Sequence, residues 1–300
     1  MKSISRKVNK IAQGMDTQDG AGVSLQRVIG GPFSGSVSYR EMDPFLMLDS
    51  FRSDNPDDYI EGFPSHPHRG QQTLTYMIEG VMEHQDNKGN KGLLLPGMVQ
   101  VMNAGKGIIH SEIPQQRDGV MFGFQFWLNL SAIDKMSEPW YKDIASSEIK
   151  EIITKNSKKV RVIAGNYEGI EGVVKNLRVK PIFLDVKLEP NTKFSVEIPD
   201  FDHNSFVYVF EGDALFGPTD NQIKVEDRHI GVLENIDRNT LTKDDPIPNK
   251  LDATAGDKGV RFLFLSAKPL REPVVKYGPF VMNTEQEIQE AFRDYQLGRF

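Results

Sequence analysis

Residues 62–80 read GFPSHPHRGQQTLTYMIEG, and the reading of the fold starts there. The run TLTYMI (73–78) is rich in β-branched and aromatic side chains and is closed by Glu79-Gly80. It is too short for an ordinary helix and reads as a strand running into a turn. Upstream, His66 and His68 stand two residues apart. Strand side chains alternate between faces, so both imidazoles point the same way and can share one cation. Pro67 between them has no N–H to give to a ladder, which suits a strand edge or start.

The same texture extends outward. VSLQRVI (23–29), VQVM (99–102) and FGFQFWLNL (122–130) are short runs separated by Gly, Pro, Asn and Asp. Many short strands with Gly/Pro turns point to a sandwich or barrel. Residues 131–159 are charged and poor in apolar side chains, and read as a linker with one helical turn. Strand texture returns in VRVIAG (160–165), PIFLDVKL (181–188), FVYVF (206–210) and RFLFLS (261–266). TYMIEG (75–80) is echoed by VYVFEG (207–212), an offset of 132 positions, which suggests a duplicated barrel. Thr284 and Glu287 form a capping box, and Ile288, Ala291, Phe292 and Tyr295 share one face of the helix that follows. The boundaries read are an N-terminal barrel over 1–135, a linker over 136–159, and a second barrel with the closing helix over 160–300.

A second segment, PGMVQVMNAGKGIIHSEIP (96–114), repeats the two-residue spacing with His110 and Glu112. Two antiparallel strands of one barrel can bring the pairs together. Three imidazoles and a carboxylate make a nitrogen-rich site that suits iron, manganese, nickel, copper or zinc and is poor for magnesium or calcium. On a six-coordinate iron, four such ligands leave two positions for water, substrate or oxygen. His84 is a candidate to support a ligand from behind. His203 and His229 lie in polar stretches, where a solvated surface histidine is the default.

Composition narrows the classes. The 300 residues contain no cysteine, which removes disulfides, thiolate metal sites and cysteine nucleophiles. The net charge of −6 gives no footprint for a phosphate backbone, so direct nucleic-acid binding is not expected. The N-terminal MKSISRKVNKIAQGMDTQDG lacks the apolar stretch of a secretory signal, and no run is long enough for a membrane helix. A cytoplasmic location is the expectation.

Four stretches now carry a family likeness: HPHRG (66–70), the whole of 96–114, KMSEP (135–139) and LREPVVKYGPFVMNT (270–284). They resemble the pirin family of the cupin superfamily over almost the whole chain. The resemblance implies an all-β fold of two tandem cupin barrels (a bicupin). It implies one Fe(II) in the N-terminal barrel, held by His66, His68, His110 and Glu112, with Ni, Mn, Cu or Zn as substitutes. It implies a second barrel without metal; the 132-residue offset puts Ile198 and Asp200 where the first two histidines would stand. One departure is visible. The general cupin motif has a glutamate where this chain has Gln72 and Thr73, and pirin-like proteins can carry one at the position of Gln72. The activity implied is a quercetin 2,3-dioxygenase-like cleavage of a flavonol with O2, with Glu112 as the base and Phe45, Phe124 and Phe126 as candidate pocket walls. The alternative implied is a redox-sensing regulator that binds a transcription factor or a central-metabolism enzyme.

Overall fold

The computed structural model describes residues 3–31, 37–154, 157–236 and 246–300. Strands dominate, and the α-helix among these residues is Glu285–Gln296, near the C-terminus. The chain forms two cupin barrels in two compact units. One unit takes Met15–Phe33, Val37–Ser146 and Leu270–Phe300; the other takes Met1–Gly14 and Ser147–Pro269.

In the first unit two antiparallel sheets face each other. The larger runs, in spatial order, Trp140–Ile144, Val99–Asn103, Gln71–Glu79, Met121–Asn129, Phe45–Ser53, Val23–Ile29 and Met15–Asp19. The smaller runs Phe63–His68, Ile108–Pro114, Met82–Asp86 and Lys91–Leu94. Apolar side chains from both sheets meet between them: Val23, Leu25, Phe51, Met77 and Met121 from the larger, Met82 and Leu94 from the smaller. This is the two-period pattern expressed as a sandwich, one face of each strand inward.

The second unit is organised by one long strand, Ile247–Ala267, which pairs with Asn204–Phe216, Ile182–Leu188 and Lys193–Glu197. Its core is aliphatic and aromatic, with Val160, Leu184, Val207, Val209, Phe216, Phe262 and Phe264 among its members. Strand Val8–Gln13 joins it by pairing with His229–Leu233.

These units differ from the boundaries read in the sequence. The first residues of the chain belong with the later barrel, and the closing helix belongs with the earlier one. The cause is specific pairing. The C-terminal segment bridges Arg69 to Phe280, and Phe280, Met282, Ile288, Ala291 and Phe300 pack in a cluster that includes Ile109. The stretch read as a linker is also structured. Trp140–Ile144 pairs with Val99–Asn103, a 3-10 turn spans Ser146–Glu148, and Lys150–Thr154 pairs with Lys158–Ala164. Both strands lie at a sheet edge, where charged side chains are common, and that composition hid them.

Candidate metal centre

Strands Phe63–His68 and Ile108–Pro114 are neighbours in the smaller sheet, with His110 opposite His66 and Ile108 opposite His68. The register shifts between His110 and Glu112, so Glu112 opposes Phe63. Along Ile108–Pro114 every second residue is buried, and His110 and Glu112 fall on that inward set. The three imidazoles therefore converge. Their ring centroids lie 4.8 Å (His66–His68), 4.4 Å (His66–His110) and 5.1 Å (His68–His110) apart, with the rings inclined at 85°, 54° and 62°. Nitrogens of all three lie within 4.8 Å of one another. Among the described residues no other three His, Asp or Glu side chains gather in this way.

The electrostatics favour neutral, coordinating rings. Burial, then the neighbouring imidazoles, push His68 and His110 well below the usual histidine range. His66 Nδ1 lies 2.8 Å from the Pro64 carbonyl oxygen. A carbonyl only accepts, so in the neutral ring Nδ1 carries the proton and Nε2 keeps its lone pair. His68 Nε2 and both ring nitrogens of His110 are buried and have no protein partner. A cation would satisfy His68 Nε2 and one nitrogen of His110 together, so the residues fit a transition metal. With a metal on His68 Nε2, Nδ1 holds the proton. The Pro279 carbonyl, which bonds the His68 ring and also accepts from Gln71 Nε2 at 3.1 Å, is the acceptor for that proton.

Glu112 is 4% exposed and stands outside the three-histidine cluster, on the same inward face of its strand. Burial raises its carboxyl pKa, opposed by His66 and by the Thr75 hydroxyl. The single Thr75 hydroxyl proton has its close acceptor in Gln125 Oε1 at 2.5 Å. Thr75 Oγ1 lies 3.3 Å from Glu112 Oε1, while Gln125 Nε2 donates to Oε2 at 3.4 Å, so the carboxyl is free to swing. His84 sits directly opposite Glu112 on the next strand, bonded through Nε2 to Asp143 at 2.9 Å and stacked on Tyr141.

A cavity of about 790 Å³ opens onto His66, His68 and Glu112. Its walls include Leu25, Met47, Phe51, Phe63 and Trp127, and its polar lining includes Arg27, Asp49, Gln125 and Lys276. Phe45, Phe124 and Phe126, the expected walls, are fully buried but do not line it. Gln125 and Trp127 do instead, because strand alternation sends Phe124 and Phe126 to the opposite face. The same alternation corrects Gln72: Gln71 is the residue that reaches His68, and Gln72 falls on the other face of its strand. A polar Gln inside an apolar strand was the available signal for the cavity face. Lys276 gave none, since only the docking of the C-terminal segment brings it here. His203 and His229 belong to the other unit; His203 is half-buried against Ser266 rather than solvated, and His229 opens a strand.

The family model described as Pirin matches residues 22–128, and the Pirin C-terminal cupin domain matches residues 183–300. A Pseudomonas aeruginosa protein named "Putative quercetin 2,3-dioxygenase" is 42% identical over 98% of this chain and 97% of its own length. Human pirin is 38% identical over 97% of this chain and 93% of its own. The crystal structure of a quercetin 2,3-dioxygenase from Acinetobacter baumannii superposes with a TM-score of 0.85 at 29% identity, covering 99% of this chain and 98% of that one. On two matching domains and relatives of this identity across its length, the chain belongs to the pirin family.

Proposed function

We propose that this protein is a dioxygenase that uses one Fe(II), held by His66, His68, His110 and Glu112, to cleave quercetin or a similar flavonol with O2. The observation that carries the reading is the cavity itself: a ligand-sized space that opens onto His66, His68 and the Glu112 carboxyl, with His110 completing the imidazole cluster behind them. The names of the Pseudomonas and Acinetobacter proteins support the choice of reaction.

The bound metal would supply a Lewis acid for a deprotonated hydroxyl oxygen and open positions where oxygen can react. The chain's own groups do the rest. The Glu112 carboxyl lies on the cavity lining beside His66 and His68, where it can take the proton of a substrate hydroxyl. Gln125 and Thr75 flank its two oxygens through long contacts that leave the carboxyl free to move toward a ligand. Trp127, whose ring meets the His68 ring edge-on at 5.0 Å, offers an aromatic surface to a planar ligand. Leu25, Met47 and Phe51 exclude water from the far wall.

The test is oxygen uptake by Fe(II)-loaded protein with a panel of flavonols and catechols. The expected result is flavonol-dependent uptake matched by loss of the flavonol absorbance. Fully loaded protein that consumes no oxygen with any flavonol would remove this reading.

A further inference from the structure

Lys276 lies on the short strand Val275–Tyr277 of the C-terminal segment and lines the cavity. Its Nζ stands 4.7 Å from the Trp127 ring centroid and 5.9 Å from that of Tyr39. Trp127 in turn touches the His68 ring, so the ammonium is within about 10 Å of the histidine cluster. An ammonium has three donors, and among the described residues this one has no hydrogen bond or ion pair. The nearby acid is already engaged: Arg27 Nε donates to Asp49 Oδ1 at 2.9 Å, and Arg27 Nη2 to Oδ2 at 2.7 Å. Arg27 also reaches Asp19 at 2.7 Å, so Asp49, Asp19 and Arg27 satisfy one another and Lys276 is left over.

Lys276 is half-buried on the cavity wall, and an ammonium there with no protein acceptor gains a charge-assisted bond when an oxyanion enters the cavity. We propose that Lys276 anchors an anionic oxygen, a carboxylate or acidic phenol, on an aromatic ligand whose other end reaches the three histidines. This rests on reading the cavity as the site for a small aromatic substrate, and it narrows that substrate to one carrying an anion at the end away from the metal. Trp127 has two roles here: its face carries the ammonium, and it is the wall along which the ring lies between the two polar ends. Burial, then the repulsion of Arg27, lowers the Lys276 pKa to about 8, with Asp49 and Asp19 opposing. The ammonium is thus still the main form at neutral pH and is lost as pH rises through that value.

The experiment is calorimetric binding to protein loaded with zinc(II), which has no redox chemistry. The probes are 3,4-dihydroxybenzoate and its uncharged twin, 3,4-dihydroxybenzamide. Both present a catechol to the histidines, and only the first places an anion at the far end. Wild type should bind the benzoate about 10-fold or more tighter than the benzamide, the ordinary scale of a hydrogen bond to a charged group. Lys276→Met should bring the two affinities together by weakening the benzoate alone. Lys276→Arg should keep most of the preference, and in wild type the preference should fade between pH 7 and 9. Thermal melts of both variants separate a binding defect from a folding one. An unchanged preference in Lys276→Met, no preference in wild type, or no binding of either probe would overturn the anchor and leave Lys276 as a side chain packed on Trp127. The reaction proposed above fails independently: absent oxygen uptake with the benzoate preference intact removes the dioxygenase and keeps the anchor, and uptake without the preference does the reverse.

Discussion

His110 and Glu112 sit two residues apart on one strand face, and their roles separate under mutation. His110→Ala removes a buried nitrogen that has no other partner, so it should abolish stoichiometric metal retention, measured by elemental analysis after dialysis. Glu112→Gln keeps the shape and loses the basicity. On this account its turnover should fall by about 10²–10⁴-fold, more than its metal content on the same sample, the usual worth of general-base help. A turnover loss that only tracks metal loss would restrict Glu112 to ligation. Both pairs were legible in the sequence, because an i, i+2 spacing on a strand fixes a shared face without further information. The cavity walls were not. In Met121–Asn129 nearly every residue is apolar, so periodicity is weak, and Gln125 alone marks the face on which it and Trp127 look into the cavity while Phe124 and Phe126 look away.

Lys135 shows how elements, rather than residues, hold the centre. It is 1% exposed, and its ammonium donates to Gly70 O at 2.9 Å, Asn129 Oδ1 at 2.8 Å and Val281 O at 3.0 Å. It therefore ties the turn after His68 to the strand Met121–Asn129 and to the C-terminal strand Phe280–Met282. Lys135→Met leaves three buried acceptors without a donor and should cost roughly 2–5 kcal/mol in urea unfolding. A loss below about 0.5 kcal/mol would show that these bonds do not matter. Gly70 belongs to the same joint. Its φ is +85°, and a Cβ there would collide with the Val281 carbonyl oxygen, so Gly70→Ala should loosen the C-terminal segment as well. The helix was readable from its capping box, which the structure forms in full. The edge strands Trp140–Ile144 and Lys150–Thr154 were not, because a solvent-facing edge tolerates the same charges as a linker.

At the scale of the whole molecule, the two ends of the chain change places between the barrels. The metal-side unit keeps the last residues through Arg69, which donates to Lys106 O at 2.6 Å and to Asp294 at 3.0 Å, and stacks its guanidinium 4.5 Å over the Phe300 ring. A chain truncated after Pro269 would lose Lys276, Gly278 and Pro279 from the cavity lining while keeping every proposed ligand. It should bind aromatic ligands more weakly, by an order of magnitude or more, and be less stable than the full chain; full-length affinity in the truncated protein would contradict the assignment of that segment to the site. Sequence periodicity could not show this exchange, since it depends on pairings such as Val8–Gln13 with His229–Leu233, far apart in the chain. The duplicated barrels themselves were legible from TYMIEG and its echo at 207–212.

The central claim is that His66, His68 and His110 hold one transition metal. X-ray absorption of the Fe(II)-loaded protein tests it most directly, because imidazole gives a recognisable multiple-scattering pattern. The account predicts one iron per chain, with three imidazole nitrogens and further oxygen ligands at roughly 2.0–2.2 Å, the usual range for such donors. A first shell with no imidazole, or protein that retains no iron to measure, would contradict it.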